Sequence, residues 1–360
     1  MATAEIDWGS VRRVLVVRLR SIGDTVLSTP SLIALRRFLP ESEIDILVED
    51  WVAPVLEGFE GVGKIVTARE GFLSRLATAR QVRNRKYDVV FNLHGGTTAT
   101  FFARASGARH RVGYENYQYS FLYNHRLSSS RDFWKRDRTH SAEQQLALLG
   151  SVGIPVEDLP KSRLAVSDDA LQSVGQKFYE QEGKRLEELH EFVLVHPAAA
   201  FDTKEWAPEN FARIAEYLND GGLSAVAIAT EKERAVLENL KTQSRVPIHI
   251  FSNFTLPEIS ALASRARLFV GNDSGIAHMA AAAATPSVVI FGSSNRDHWR
   301  PWTDAPNEIV FEEFRCQPCP GFECREFGEP RCIQNVSVAA VTRAIERVLA
   351  EKKADPKARS

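Results

Sequence analysis

The stretch LFVGNDSGIAHMAAAAATPSVVIFGSSN, residues 268–295, holds the side chains best spaced for chemistry. A short apolar run ends in GNDSG, and an Ala-rich helical pattern begins at once. A helix start offers unpaired backbone N–H groups and the positive end of the macrodipole, so it suits an anion such as phosphate. Ser274 and Gly275 would supply main-chain donors there. His278 lies one turn further along the same face. The competing reading has Asp273 capping the helix and His278 buried and satisfied. Glycines on both sides, Gly271 and Gly275, point instead to close approach of something to the backbone.

A second turn follows the run VLVVRL (14–19), in RSIGDTVLSTPSLIALRRFLP (20–40). Ser21, Gly23 and Asp24 fall at the carboxyl end of a strand, where open α/β sheets hold ligands. Gly23 would supply permissive backbone. Asp24 reads either as a helix cap or as a general base facing a cleft. No G-x-G-x-x-G follows this strand, so it is not a dinucleotide fingerprint. GFEGVGK (58–64) nearly fits a P-loop, but Ile65 stands where Ser or Thr is required, and the segment reads as a loop. Lys204 and Trp206 lie in HPAAAFDTKEWAPENF (196–211), just before a helix announced by Pro208. Lys204 is either solvated or placed to neutralise a departing phosphate. In IATEKERA (228–235), Glu231 or Glu233 would accept bonds from ribose hydroxyls or open the next helix. All four cysteines lie in RCQPCPGFECREFGEPRC, as Cys316, Cys319, Cys324 and Cys332. Their C-x2-C-x4-C-x7-C spacing fits a tetrahedral structural Zn²⁺, four free thiols, or two disulfides, the last against a reducing compartment.

Positioning these residues takes strands and helices in alternation. Buried-strand runs are expected at 14–17, 44–48, 89–93, 192–196, 225–229, 248–251, 268–270 and 288–291. Helical spacing fills 26–38, 211–218, 259–263 and 276–284. That beat predicts parallel sheets covered on both faces. At 360 residues, with 44% apolar and 25% charged side chains, the chain has room for two such domains. The expected division is 1–165, a helical linker at 166–190, a second domain at 191–335, and a last helix and fraying tail at 336–360. Collagen-like, disordered, small disulfide-scaffold and membrane-spanning classes do not fit this composition. The N-terminus shows no basic-then-apolar signal peptide, so the cytoplasm is the expected compartment. A formal net charge of −1 hides an asymmetry. Residues 1–150 carry 21 basic against 16 acidic side chains, and 69–138 alone carry 14 against 5. Such an excess is either a solvated face or a surface for something anionic.

Taken together, 14–40, the DTKEWAPENF segment (202–211) and GNDSGIAHMAAAAATPSVVIFG (271–292) resemble the ADP-heptose:lipopolysaccharide heptosyltransferase family. FNLHGG (91–96), THSAEQQLALLGSVGIP (139–155) and the cysteine stretch with the last helix extend the likeness over most of 11–350. The resemblance implies an α/β, GT-B fold: two Rossmann-like doubly wound parallel-sheet domains facing across a cleft, acceptor on the first and nucleotide-sugar donor on the second. It also implies a last helix that packs back on the first domain. Carried onto this sequence, Asp24 matches the general base, with Ser21, Gly23 and His94 at the acceptor side of the cleft. Lys204 matches a donor-phosphate lysine, and Asp273, Ser274, Gly275 and His278 the donor-binding loop. Glu231 matches an adenosine-ribose contact.

The implied reaction is inverting transfer of heptose from ADP-heptose to an anionic lipid-linked saccharide of the lipopolysaccharide inner core. No cofactor is then required for catalysis, since no D-x-D triplet of the kind that holds Mg²⁺ or Mn²⁺ in many sugar-nucleotide enzymes occurs. A structural Zn stays open at the cysteines. The basic first half suits an acidic acceptor and peripheral contact with the inner face of the inner membrane; no nucleic-acid motif is present. The rival readings are a GT-B transferase or epimerase using another nucleotide sugar, and an inactive nucleotide-sugar-binding protein.

Overall fold

Every side chain from Val14 to Val17 is buried, Leu15 and Val17 in one core and Val14 and Val16, by strand alternation, on the other face. A strand apolar on both faces needs helices on both, and parallel crossovers supply them. The computed structural model describes residues 5–319 and 321–354. Among these residues the strands are β1 (Arg13–Val17), β2 (Glu43–Glu49), β3 (Lys64–Ala68), β4 (Val89–Asn92), β5 (His110–Tyr114) and β6 (His125–Leu127). There follow β7 (Phe192–His196), β8 (Ser224–Ile228), β9 (Ile248–Phe251), β10 (Leu268–Asn272), β11 (Ser287–Phe291) and β12 (Asn307–Phe311).

The contacts divide the chain into two units, Met1–Ala165 and Val166–Ser360. Each holds one sheet of six parallel strands, in the orders β3-β2-β1-β4-β5-β6 and β9-β8-β7-β10-β11-β12. These are the same doubly wound topology twice. The order reverses between β1 and β4 in one sheet and between β7 and β10 in the other, the switch points where such sheets hold ligands.

Four strands went unread in the sequence. β3, β6 and β12 are sheet edges, half-buried at best over most of their length, so they lack a continuous apolar run. β5 carries His110, Arg111 and Gly113 among its five residues, which breaks the pattern. Lys64 of the P-loop-like segment opens β3, so no phosphate-cradling helix follows it.

One expectation changes. Residues 166–190 form no free linker: the helix Asp168–Glu182 buries Ala170, Val174 and Phe178 at four-residue spacing. Phe178 stacks on Phe251 at 5.4 Å, while Lys177 and Ser173 both bind Glu258, at 2.8 and 2.5 Å. The segment is part of the second unit. The last helix, Val338–Ala354, places Val341, Ala344, Ile345 and Val348 in that unit's own core with Trp206 and Phe211. It packs on β11, β12 and the helix Pro208–Asp220, so its apolar face is used within the second unit. Of the tail expected to fray, 354–360, Ala354 ends the last helix and the rest lies outside the described residues. No helix among the described residues is long and apolar enough to cross a membrane.

Phe178→Ala should lower stability in urea unfolding by about 3–5 kcal/mol, the usual cost of emptying a large aromatic site. Tyr179→Ala, next door on the exposed face, should change it by less than about 0.5 kcal/mol. Equal small effects would return the segment to a linker.

Candidate active site

In the first unit the chain leaves β1 through Arg18, whose guanidinium is buried. One Nη donates to the Leu93 carbonyl at the end of β4, and the other pairs with Asp24. Ser21 caps the five-residue helix Ile22–Val26, and Asp24 sits at its third position. The Asp24 carboxylate accepts from Ser21 Oγ at 3.1 Å and from Ser21 N–H at 3.3 Å, the latter the acid's half of a capping box. Ser21 is therefore the cap, and Asp24 is held from two sides. Gly23 keeps ordinary helical backbone, so its conformational freedom is not what shapes this turn. His94 follows β4 in a turn closed by Asn92 Oδ1, which accepts from the N–H groups of His94 and Gly95 at 3.0 Å. Gly95 has φ of +74°, and a Cβ there would approach the Tyr117 ring to 2.9 Å. His94 Nδ1 is buried without a partner among the described residues. Burial, then the charges of Arg18 and Arg20, push its pKa down to about 4. The turns after β1 and β4 thus meet at the switch point, with Arg18 as the link.

The second unit repeats this arrangement with other residues. Lys204 follows β7 and Asp273 follows β10; Nζ and Oδ2 are 2.8 Å apart, with the side chains 20% and 5% exposed. Ser294 Oγ donates to the same oxygen at 2.5 Å. Asp273 is therefore no helix cap. Ser274 takes that role for Gly275–Ala282, accepting from Ala277 N–H at 3.4 Å, while its Oγ stands 3.3 Å from His196 Nδ1. Gly271 is small because β7 needs the room: a Cβ would come within 2.9 Å of the His196 carbonyl. The close approach inferred at that glycine is made by the neighbouring strand. Asn272 accepts from Trp206 N–H at 3.1 Å and donates to the Pro197 carbonyl at 2.7 Å, fixing the loop that carries Lys204. His278 is buried, its Nδ1 unpartnered among the described residues. Burial pushes its pKa down to about 4, against the pull of Asp273. A carboxylate-anchored ammonium, a helix start and a neutral histidine with an unclaimed nitrogen stand together, a set suited to a phosphate group.

Residues 75–328 match the family described as Glycosyltransferase family 9 (heptosyltransferase). The chain belongs to this family. It is a glycosyltransferase. It is 25% identical over 350 residues to lipopolysaccharide heptosyltransferase 3 of Escherichia coli, covering 92% of this chain and 97% of that protein. The fold is shared with a family 9 glycosyltransferase from Veillonella parvula, at TM-score 0.79, 20% identity and coverage of 94% and 97%. It is shared too with E. coli ADP-heptose lps heptosyltransferase II, at TM-score 0.77, 20% identity and coverage of 95% and 99%.

Two groups singled out in this glycosyltransferase's sequence stand apart from the Lys204 cluster. Glu231 follows β8, one strand away from the switch point, in a surface recess with Arg234, Ser252 and Asn253; it accepts from Ser252 Oγ at 2.5 Å. Glu233 is a capping residue, bound to Thr230 N–H and Oγ1 at 2.9 and 2.7 Å. The cysteines line one small cavity together, all four as free thiols. Among the described residues no three of them stand in an arrangement that would hold a metal ion, and the Zn reading is not supported. Burial, with the neighbouring thiols, pushes the Cys332 thiol up.

Arg18, Ser294, Asn272 and Thr203 went unread. A charge inside VLVVRL was the one available signal: a buried guanidinium must find an acceptor.

His196, His278 and His94 are all held near 4, below the ordinary value near 6.5. Each takes up its proton on unfolding in that range, so its contribution is present above about pH 6.5 and lost as pH falls toward about 4. Urea midpoints should fall steadily across that window, and His278→Gln should flatten the fall. A midpoint flat between those limits would overturn the assignment.

Proposed function

We propose that this glycosyltransferase moves heptose from ADP-heptose to an anionic saccharide of the lipopolysaccharide inner core, with inversion and without a metal ion. The observation that carries this reading is the Lys204–Asp273–Ser274–His278 cluster at the switch point of the second sheet. The name of the E. coli relative, a lipopolysaccharide heptosyltransferase, supports the sugar and the acceptor class. The basic excess over 69–138 suits an acidic acceptor.

In the proposed reaction Asp24 takes the proton from an acceptor hydroxyl as that oxygen attacks the anomeric carbon. The bond from that carbon to the diphosphate oxygen breaks, and its electron pair leaves with ADP. Attack opposite the leaving group inverts the configuration. Arg18 and Ser21 hold the Asp24 carboxylate in place, leaving it lone pairs for the hydroxyl. Lys204 gives one N–H to Asp273 and keeps two for the diphosphate, beside the Gly275 and Ile276 amides and His278. Ser21, Gly23 and His94 line the acceptor turn, and Glu231 is assigned to the ribose of the nucleotide, beyond the phosphates along the same strand ends. Charge on the leaving diphosphate is met by an ammonium and helix amides, a role that a divalent cation fills elsewhere.

Mass spectrometry of products from ADP-heptose and an inner-core acceptor tests the whole. Asp24→Asn should cut kcat by about 10²-fold or more while ADP affinity stays unchanged. Near-normal turnover in that variant would remove Asp24 from the chemistry. ADP, and not UDP, should raise the melting temperature. Bound ADP should also raise the His278 pKa above about 4, since a nearby anion favours imidazolium, and NMR titration reads this directly. An unmoved value would place the phosphates elsewhere.

A further inference from the structure

The helix Phe72–Asn84 is apolar on the wrong side. Thr78, Ala79 and Val82 face the core, while Phe72, Leu73 and Leu76 are 75%, 78% and 43% exposed. Leu73, Leu76 and Arg80 share one outward face at three- and four-residue spacing, with Phe72 one turn before Leu76. Three large apolar side chains bare within five residues exceed the scattered exposure normal for a protein surface. Glu70 apart, the charges around them are basic. Arg69 is paired with Asp50, and Arg85 with Glu43 and Asp45. Arg75 and Arg80 are exposed and have no ion-pair partner among the described residues. The neighbouring helix Gly96–Ala105, packed against this one, also leaves Phe101 and Arg104 exposed.

Position adds a second constraint. The helix follows β3, and parallel strands bring all their carboxyl ends to one edge of the sheet. The apolar face therefore begins on the edge that carries Asp24 and His94. Apolar side chains interleaved with unpaired arginines match one environment best, the headgroup layer of an anionic bilayer. A soluble protein partner would call for acidic side chains around an apolar pocket filler, whereas a bilayer supplies phosphate and acyl chain side by side.

We propose that Phe72–Asn84 is a membrane-docking helix, with Phe72, Leu73 and Leu76 entering the acyl boundary of an anionic bilayer and Arg75 and Arg80 pairing with its phosphates. Docking there sets the acceptor edge of the first sheet against the lipid surface, where a lipid-borne saccharide would emerge.

Flotation of the full chain with vesicles tests this without any sugar substrate, so its outcome is independent of the reaction assigned above. The protein should bind vesicles of phosphatidylcholine with phosphatidylglycerol, bind phosphatidylcholine alone far less, and release as salt rises. Phe72→Ser with Leu73→Ser should weaken binding about a hundredfold, and Arg75→Glu with Arg80→Glu should erase the preference for phosphatidylglycerol. Melting temperature and ADP affinity should match the unmodified chain in both double variants. Indifference of the unmodified protein to anionic vesicles overturns the proposal, as does undiminished binding by the Ser variants. A dimer in light scattering that the Ser variants dissociate, with no vesicle binding, would assign the face to a second copy instead.

Discussion

A charge taken out of water has to meet its opposite, and the cluster in each unit is organised by that requirement. Arg18 is buried and finds Asp24 and the Leu93 carbonyl; Asp273 is buried and finds Lys204 and Ser294. Each set spans the loops after the two strands at which its sheet reverses order. The pairing therefore sets the spacing of those loops as well as satisfying the charge. Removing one partner would leave the other stranded at a cost of about 3–5 kcal/mol, which ties the shape of each site to its chemistry.

The loop that carries Lys204 is braced from a further side. Thr203 donates through Oγ1 to the Gly321 carbonyl, and its own carbonyl accepts from Ser293 N–H at 3.1 Å. Cys319 N–H reaches the Ser293 carbonyl at 3.1 Å. Gly292 leaves the space for this clamp, because a Cβ there would collide with the Thr203 carbonyl. The cysteine segment thus bears on the site through its backbone, pressing the Lys204 loop against the end of β11.

What the sequence disclosed follows from how far each signal travels along the chain. Central strands such as β1, β7 and β11 bury both faces and read as unbroken apolar runs. The edges β3, β6 and β12 bury less and carry no such run. Asp24 and Asp273 were legible as acids beside helix starts, yet their partners were not: Lys204 and Asp273 are 69 residues apart. That distance is why Asp273 could be taken for a cap when the adjacent Ser274 does the capping. The stripe Ala170, Val174, Phe178 was hidden in the same way, by the charged run that follows it. Exposure of Phe72 and Leu73 was invisible for the opposite reason, since apolar residues in a helix are expected to face inward.

The two units share a strand order, and each closes its own apolar core: one around Leu15, Val90 and Phe102, the other around Val195, Phe211 and Ile345. The residues assigned to donor and to acceptor fall in different units. Natural variation can then act on one half at a time. On the proposed assignment, a lineage can alter the turns after β1 and β4 to accept a new saccharide while the Lys204–Asp273 framework stays as it is. Diversification of the proposed acceptor side need not disturb the proposed grip on the nucleotide.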